Sequence, residues 1–250
     1  MRIPRIYTPQ VLAAGAELAL EPGPSQHLGK ALRMGPGQPL LLFDGSGTQY
    51  SARIVSLGKK QVTVQLLEQQ PDTLESPLWI HLGIGISRGE RMDWVMQKAT
   101  ELGVGAITPL YTERTEVRLR GDRESRKLGH WQQVIISACE QSGRSTLPVL
   151  HPAASLDTWL ASCDAQRRFV LHHRATGKPP GTDDPRSVCL LVGPEGGLSD
   201  PEIDSAGHAG FEAIALGPRV LRTETAPLAA LAILQARWGD MGGLDPVADH

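Results

Sequence analysis

Two glycine-rich turns, each directly after an apolar stretch, constrain the fold of this chain more than any other feature. The first, Gly193-Pro194-Glu195-Gly196-Gly197, follows Leu190-Leu191-Val192, and the second, Leu216-Gly217-Pro218, comes later in the chain. Glycine lets a ligand approach the backbone closely, and open α/β sheets bind ligands beyond the carboxyl ends of their strands. The two turns therefore predict a pocket lined by main-chain donors and acceptors at neighbouring strand ends.

The hydrophobic pattern changes near Pro77, which predicts two domains. Before it, short alternating or apolar stretches at 39–43, 50–57 and 61–66 are separated by glycine turns, a pattern typical of a meander of hairpins. We expect a small barrel at 1–70, with one short helix near 25–34. The polar stretch that ends at Pro77 contains two prolines and indicates a linker, placed at 71–77.

After Pro77, apolar strands alternate with helical stripes, which predicts an α/β fold with a mostly parallel sheet covered on both faces. The domain is placed at 78–240, and 241–250 is expected to be a loose tail. The predicted strands are 78–86, 106–111, 169–172, 188–192 and 213–216, and the predicted helices are 91–102, 123–142, 155–161, 199–209 and 225–238.

Composition narrows the function classes. A net charge of −2 gives no overall basic field for nucleic acid, so an RNA partner must be held by local patches. Three widely spaced cysteines indicate neither a zinc knuckle nor a disulfide framework. No signal-peptide pattern begins the chain, and its longest apolar run is far too short to span a bilayer. We therefore expect a cytoplasmic protein with reduced thiols and no membrane association.

Three motifs have ordinary structural explanations. Gly83-Ile84-Gly85 with Gly89 resembles a dinucleotide fingerprint, but its spacing is G-x-G-x-x-x-G, so a tight strand-to-helix turn is favoured. Ser199 and Glu202 have the spacing of a helix capping box. The adjacent pair His172-His173 has no third ligand at metal spacing, so no metal site is expected.

The charged residues near the two turns leave alternatives open. Glu195 lies inside the first turn with no evident local partner. Arg222 and Glu224 stand beside the second turn, where they could form a surface ion pair or take part in polar transfer chemistry. Lys98 and Glu101 have the spacing of a helix-surface pair.

Taken together, these segments resemble the ribosomal small subunit methyltransferase E family, which methylates N3 of a uridine in 16S ribosomal RNA. The resemblance runs from residue 1 to about 238. The segments that carry it are Met1-Arg2-Ile3-Pro4-Arg5-Ile6-Tyr7, His27-Leu28, Leu32-Arg33, Leu42-Phe43-Asp44-Gly45, Arg91-Met92-Asp93, Gln97-Lys98-Ala99-Thr100-Glu101-Leu102-Gly103-Val104, Ala138-Cys139-Glu140-Gln141-Ser142-Gly143-Arg144, Val192-Gly193-Pro194-Glu195-Gly196-Gly197 and Leu216-Gly217-Pro218-Arg219-Val220-Leu221-Arg222-Thr223-Glu224-Thr225-Ala226.

The resemblance implies a PUA-like β-barrel that binds RNA, followed by a SPOUT-type parallel α/β domain with a C-terminal trefoil knot. It also implies a homodimer that uses S-adenosylmethionine and acts on 16S ribosomal RNA or the small ribosomal subunit. The cofactor residues that it implies are Leu171, His172, Leu191, Val192, Gly193, Pro194, Glu195, Gly196, Gly197, Leu198, Leu216, Gly217, Leu221, Arg222, Thr225 and Ala226.

Methyl transfer to N3 of uracil requires loss of the imide proton, so a base or a cation near the developing anion would help. We assign Arg222 to anion stabilisation or orientation and Glu224 to positioning it, with Glu224 as the base an open alternative. The candidate RNA phosphate contacts are Arg2, Arg5, Arg33, Arg88, Arg114 and Arg144.

Two other function classes remain as alternatives. One is a non-catalytic RNA- or ribosome-binding module, against which the intact Arg222-Thr223-Glu224-Thr225-Ala226 segment argues. The other is a nicotinamide-dependent oxidoreductase, which depends only on the imperfect glycine fingerprint. The target nucleotide, the general base and the roles of His172 and His173 stay open.

Overall fold

The computed structural model describes residues 3–58, 61–71, 73–172, 175 and 184–242. They form two compact units, one comprising residues up to Glu75 together with Ile136–Leu147, the other Ser76–Ile135 together with residues from Pro148 onward. The segment Ile136–Leu147 therefore packs with the first unit, although the sequence analysis placed it in the second domain. Contacts from distant parts of the chain hold it there: the Tyr7 N–H donates to the Glu140 carboxylate at 3.0 Å.

The elements of the first unit are β1 Arg5–Tyr7, β2 Glu17–Ala19, α1 Pro22–Gln26, β3 Pro39–Phe43, β4 Thr48–Leu57 and β5 Val62–Pro71. The strands form a five-stranded mixed sheet in the order β1-β3-β4-β5-β2. The predicted hairpins β3-β4 and β4-β5 are confirmed, whereas β1 and β2 were not predicted because three-residue strands are too short to show periodicity. The predicted helix is a short α1 continued by a π-helical turn, His27–Ala31.

Alternation of apolar residues determines which face of this sheet is buried. Leu40 and Leu42 of β3 point to one side, as do Ile54 of β4 and Val64 of β5, and all four are almost fully buried in one cluster. Since the side-chain period of a strand is two, a register shift of one residue would expose this whole set. The hydrophobic pattern thus fixes the pairing, and closure of the sheet into a barrel stays a prediction.

The second unit alternates strands and helices as the sequence predicts. Boundaries agree within a few residues, and β7 and α6 coincide with the prediction. The elements are β6 Trp79–Gly85, α2 Arg91–Glu101, β7 Ala106–Tyr111, α3 Asp122–Ser142, β8 Val149–Leu150, β9 Ala154–Ser155, α4 Leu156–Ser162, β10 Arg167–Leu171, β11 Ser187–Val192, α5 Asp200–His208, β12 Glu212–Ile214 and α6 Thr225–Trp238.

The sheet of this unit has the order β12-β10-β11-β6-β7-β8, with β9 also paired to β7, and every recorded pair is parallel. The prediction of a parallel sheet is confirmed. Continuous burial along β6, β7 and β11 is what strands covered on both faces require. Because all strands run the same way, their carboxyl ends lie at one edge, and the loops that follow them meet there.

Two of the three glycines of the fingerprint-like motif are needed for packing. A Cβ on Gly83 would lie 2.5 Å from the Trp159 ring, and a Cβ on Gly85 would lie 2.5 Å from Pro194. Gly83 thus makes room for α4, and Gly85 lets the first glycine turn lie directly on the end of β6. The favoured interpretation, a tight structural turn, accounts for both of these residues.

Asp93 joins α2 to α3. Its carboxylate accepts hydrogen bonds from Trp131 Nε1 at 2.9 Å and from His130 Nε2 at 2.8 Å, and Lys127 lies 3.4 Å away. Burial raises the pKa of Asp93, but the His130 hydrogen bond, the Lys127 charge and the Trp131 hydrogen bond outweigh burial and hold that pKa below its usual value. The charged form is therefore favoured in the folded state.

We expect Asp93→Asn to lower the free energy of unfolding by about 1 kcal/mol at neutral pH, because the amide loses the charge-assisted hydrogen bonds. A carboxyl with a lowered folded pKa stabilises the fold above its unfolded pKa and loses that contribution as pH falls through the folded value. Denaturant titrations at several pH values should show the difference from wild type shrinking on acidification. Asp204→Asn, at an exposed position of α5, is the control. An equal loss at acidic pH would contradict the assignment.

No helix within the described residues is long and apolar enough to cross a membrane. No group of three or more His, Cys, Asp or Glu side chains among them is arranged to hold a metal ion. Cys139, Cys163 and Cys189 are buried, and none of them forms a disulfide with another described residue.

Candidate functional site

A cavity of about 430 Å³ opens at the carboxyl edge of the parallel sheet. Its walls come from the residues that follow β10, β11 and β12, with one arginine from the segment after β7. The lining residues are Arg114, Leu171, His172, Val192, Gly193, Pro194, Glu195, Gly196, Gly197, Leu198, Asp200, Ile203, Ile214, Ala215, Leu216, Gly217, Arg219, Val220, Leu221, Thr223 and Ala226.

Strand order explains why a cavity forms here. In the sheet, β10 lies between β11 on one side and β12 on the other. The segments that follow β11 and β12 therefore leave from opposite sides of β10, and a crevice remains between them. Such reversals of strand order are where open α/β sheets bind ligands. The predicted pocket is confirmed as a cavity, but the two turns do not follow neighbouring strands, because β10 lies between β11 and β12.

The first glycine turn, residues 193–198, is compact and folds back on itself. A Cβ on Gly193 would lie 2.8 Å from the Leu198 nitrogen, so only glycine fits. The Gly197 N–H donates to the Pro194 carbonyl at 2.8 Å, and Gly197 has a φ of 68°, in the left-handed region that glycine tolerates. Main-chain groups consequently form much of this wall of the cavity.

The helix after this turn begins at the expected Ser199–Glu202 pair, and the Glu202 half of the capping box is formed. The Ser199 N–H donates to Glu202 Oε2 at 2.8 Å. The other oxygen, Oε1, accepts from the Glu113 N–H at 2.7 Å, so the same carboxylate also fixes the segment after β7. Arg114, next in that segment, donates to the Gly196 carbonyl at 2.8 Å and forms the outer wall of the cavity.

The second glycine turn runs from Leu216 into α6. Gly217 has a φ of 102°, which favours glycine. The Arg222 carbonyl accepts from the N–H groups of Thr225 and Ala226, both at 2.9 Å, so the loop ends in the first turn of α6. Leu221 and Thr223 face the cavity, whereas the intervening Arg222 does not line it and is exposed.

The partners of Glu195 are the largest difference between the sequence-based prediction and the structure at this site. No local partner was evident, but its Oε1 accepts from the Arg88 N–H at 2.8 Å and from Arg91 Nη1 at 2.7 Å. Burial raises the pKa of Glu195, but hydrogen bonds from the N–H groups of Arg88 and of Glu195 itself and from Arg91 outweigh burial and leave that pKa lowered. Glu195 therefore lies in the cavity wall as a carboxylate whose position is fixed by hydrogen bonds from Arg88 and Arg91.

Glu224 also contacts Arg91. Its Oε2 lies 3.6 Å from Arg91 Nε, and within the described ranges this is the cation with which Glu224 pairs. The expectation that Glu224 positions Arg222 is corrected, because Arg222 makes no salt bridge with any described residue. Nothing in the local spacing pointed to Arg91, which is far from both carboxylates in the sequence.

All but three of the cofactor residues implied by the resemblance line this cavity. Leu191 of β11 is fully buried and packs into the core on the side of the strand that faces away from the cavity. Successive side chains of a strand point to opposite faces, so this position is expected. Arg222 and Thr225 are exposed and lie beside the cavity. The structure therefore brings the others together, and their contact with a cofactor stays a prediction. His172 is among them, while His173 lies outside the described residues.

Comparisons with known proteins agree with this geometry. Residues 74–235 match the family described as RNA methyltransferase domain, and residues 25–67 match the RNA methyltransferase PUA domain. The ribosomal RNA small subunit methyltransferase E of Buchnera aphidicola from Schizaphis graminum is 35% identical over 96% of this chain and 98% of its own length.

The chain belongs to the ribosomal RNA small subunit methyltransferase E family.

Two solved structures extend the likeness of the family to the whole fold. The ribosomal RNA small subunit methyltransferase E of Neisseria gonorrhoeae, bound to S-adenosyl methionine, is 39% identical with a TM-score of 0.90 and covers 96% of this chain and 99% of that one. A methyltransferase from Legionella pneumophila in complex with its bound cofactor SAM is 43% identical with a TM-score of 0.90 and covers 96% and 100%. The family resemblance is thus confirmed, as are the α/β methyltransferase fold and the PUA domain.

The arginines that the family resemblance suggested for RNA differ in their surroundings. Arg33 is exposed and has a φ of 51°, and Arg88 is exposed and paired with Glu116. Arg5 is half-buried, where it donates to Gln49 and Ser145. Arg2 lies outside the described residues.

The prediction that Arg144 contacts RNA phosphate is corrected. Arg144 is 4% exposed, and Nε and Nη2 each donate to Glu75 at 2.8 Å, so its guanidinium is a buried structural cation and is not open to a phosphate. Arg114 lines the cavity, and its contact with RNA stays a prediction. Sequence reasoning missed other lining residues, of which Asp200 and Ile203 of α5 are examples. Their helical positions carry no local signal that separates them from surface or core residues.

Proposed function

We propose that this chain transfers the methyl group of S-adenosylmethionine to N3 of a uridine in 16S ribosomal RNA of the small ribosomal subunit. The observation that carries the proposal is the cavity formed by two glycine turns at the carboxyl edge of the sheet, in a chain of this family. Relatives in the family are named ribosomal RNA small subunit methyltransferases, which supports the substrate class.

The cavity residues fit S-adenosylmethionine. Sites for drug-sized ligands enclose about 300–1,000 Å³, and this cavity lies within that range. Gly193 and Gly197 expose main-chain groups that can hydrogen-bond adenine and ribose, while Leu198, Ile203 and Ile214 offer apolar surface to the base. When bound, the cofactor supplies an electrophilic methyl group on a cationic sulfur.

The chain itself has to hold the uracil and stabilise its anion. Arg222 is exposed next to the cavity wall, where its guanidinium can reach a substrate base without occupying the cofactor space. We assign it to stabilising the negative charge that develops as N3 loses its proton. Glu224, held by Arg91, is an alternative proton acceptor, and alignment of the two reactants supplies much of the remaining acceleration.

Several finer features belong to the same proposal. The first unit is proposed to be a PUA-like barrel that binds RNA through Arg33. Arg5 also binds RNA when its hydrogen bonds to Gln49 and Ser145 are released. The second is proposed to be a SPOUT domain with a trefoil knot around the cavity loops. Ribosomal RNA is modified where ribosomes are assembled, so we assign the protein to the cytoplasm.

A homodimer is proposed as the active form. Trp94 of α2 is 51% exposed and Ile233 of α6 is 50% exposed, and large apolar side chains of this kind favour association. We expect light scattering to give twice the mass of one chain, and Ile233→Glu to shift the protein to the mass of one chain. A monomeric wild type would remove this part of the proposal.

The test uses small ribosomal subunits that lack the modification, incubated with the protein and methyl-labelled S-adenosylmethionine. We expect label in 16S ribosomal RNA, and nucleoside mass spectrometry should identify 3-methyluridine. Label on a different base or atom would overturn the N3 assignment alone. Absence of label, together with absence of cofactor binding by calorimetry, would favour the non-catalytic binding module, because a pure adaptor should not bind S-adenosylmethionine.

A further inference from the structure

One guanidinium links the two loops that form the cavity. Arg91 Nη1 lies 2.7 Å from Glu195 Oε1 in the first glycine turn, and Arg91 Nε lies 3.6 Å from Glu224 Oε2 at the end of the second. The two carboxylates belong to different segments of the chain, and both pair with the same cation, Arg91. Glu195 lines the cavity and Glu224 does not, so Arg91 can affect a ligand only through the positions of these two glutamates and their loops.

The backbone of Arg91 is well placed for this link. It is the first residue of α2, and the following turns are anchored by Met92, Val95 and Met96, which are almost fully buried. The guanidinium thus projects from a fixed base toward two glycine turns, which are intrinsically permissive. Planar, delocalised and always charged, a guanidinium can bind two carboxylates at once, as a lysine ammonium cannot do with the same geometry.

The two loops depend on Arg91 unequally. Glu195 keeps a second donor, the Arg88 N–H at 2.8 Å, if Arg91 is removed. For Glu224, Arg91 is the charged partner recorded among the described residues. Removal of the cation would also leave two carboxylates facing one another, which is unfavourable. The loop that carries Glu224 should therefore shift more than the first glycine turn.

We propose that Arg91 is a positioning residue that fixes the spacing of the two cavity loops through Glu195 and Glu224, and thereby sets the affinity for S-adenosylmethionine. This rests on the proposed function, since the cavity must hold that cofactor. Arg91 itself is not among the residues that line the cavity, so it acts through the two glutamates.

The test measures S-adenosylmethionine affinity by calorimetry for wild type, Arg91→Ala, Arg91→Lys and Arg91→Gln. We expect Arg91→Ala to weaken binding about tenfold and Arg91→Lys about threefold. Lysine keeps the charge, but its ammonium cannot contact both carboxylates with the geometry of the guanidinium. Arg91→Gln keeps a long side chain in place and should behave like Arg91→Ala. Arg186→Ala is the control, because it removes an exposed arginine paired with Asp184 away from the cavity.

A double-mutant cycle separates positioning from a general loss of stability. In a Glu224→Gln background, Arg91→Ala should weaken binding by only about threefold more, because the link is already broken. Full additivity in both the Glu224→Gln and Glu195→Gln backgrounds would overturn the proposal, as would unchanged affinity in Arg91→Ala and Arg91→Gln. A wild type that binds no S-adenosylmethionine would instead remove the proposed function, and this inference with it.

Discussion

Gly193→Ala is expected to weaken S-adenosylmethionine binding by about 100-fold, equivalent to about 3 kcal/mol of overpacking. The added Cβ would lie 2.8 Å from the Leu198 nitrogen and 2.9 Å from the Gly197 carbonyl carbon. Both atoms are backbone, so relief requires the whole first glycine turn to open. Because this turn forms one wall of the cavity, its main-chain donors would move away from the cofactor. Calorimetry with S-adenosylmethionine measures the loss directly.

Gly196→Ala is the matched control for this prediction. Its Cβ would lie 3.1 Å from Arg114 Cβ and 3.3 Å from Arg114 Cδ, so Arg114 has to shift by only a few tenths of an ångström while the first glycine turn stays closed. We therefore expect less than about a tenfold loss of affinity. If Gly193→Ala bound the cofactor as wild type does, the first glycine turn would not be part of the cofactor site. Equal losses in both variants would show that the contact geometry is not the cause.

Local periodicity was sufficient for the longer elements of the second unit. The stripe Met92, Val95, Met96 and Ala99 predicts α2 because helical spacing places these residues on one face, and all four are buried. The apolar runs of β6 and β11 are typical of strands covered on both faces, which is how they lie. Two-residue strands such as β8 carry no period, so they could not be predicted.

Contacts distant in sequence account for what was missed at the site. The glycine turns were found because glycine itself signals a special backbone. The link from Arg91 to Glu195 joins residues 104 positions apart, and no spacing rule applies to such a pair. Arg144 shows the converse error: an arginine in a polar segment suggests a surface, yet Glu75 makes its burial possible. Partner identity, which decides the role of a charged residue, appears only when the chain is folded.

Arg222→Ala is expected to lower turnover by about 100-fold or more, the usual cost of removing one group that stabilises transition-state charge. Affinity for S-adenosylmethionine should change by less than about threefold, because the Arg222 side chain does not line the cavity. Single-turnover methylation of small ribosomal subunits, with calorimetry on the same preparation, separates the two effects. Arg222→Lys should recover part of the rate, since a cation remains near the developing anion.

Arg219→Ala tests whether this pattern is specific to Arg222. Arg219 lies in the same loop and is also exposed, but it does line the cavity. Its loss should therefore weaken cofactor binding more than it slows the methyl-transfer step, the reverse of Arg222→Ala. If both variants lost affinity and kept the single-turnover rate at saturating cofactor, Arg222 would act only in binding. Another cation would then have to stabilise the uracil anion, because neither Arg219 nor Arg222 would take part in the methyl-transfer step.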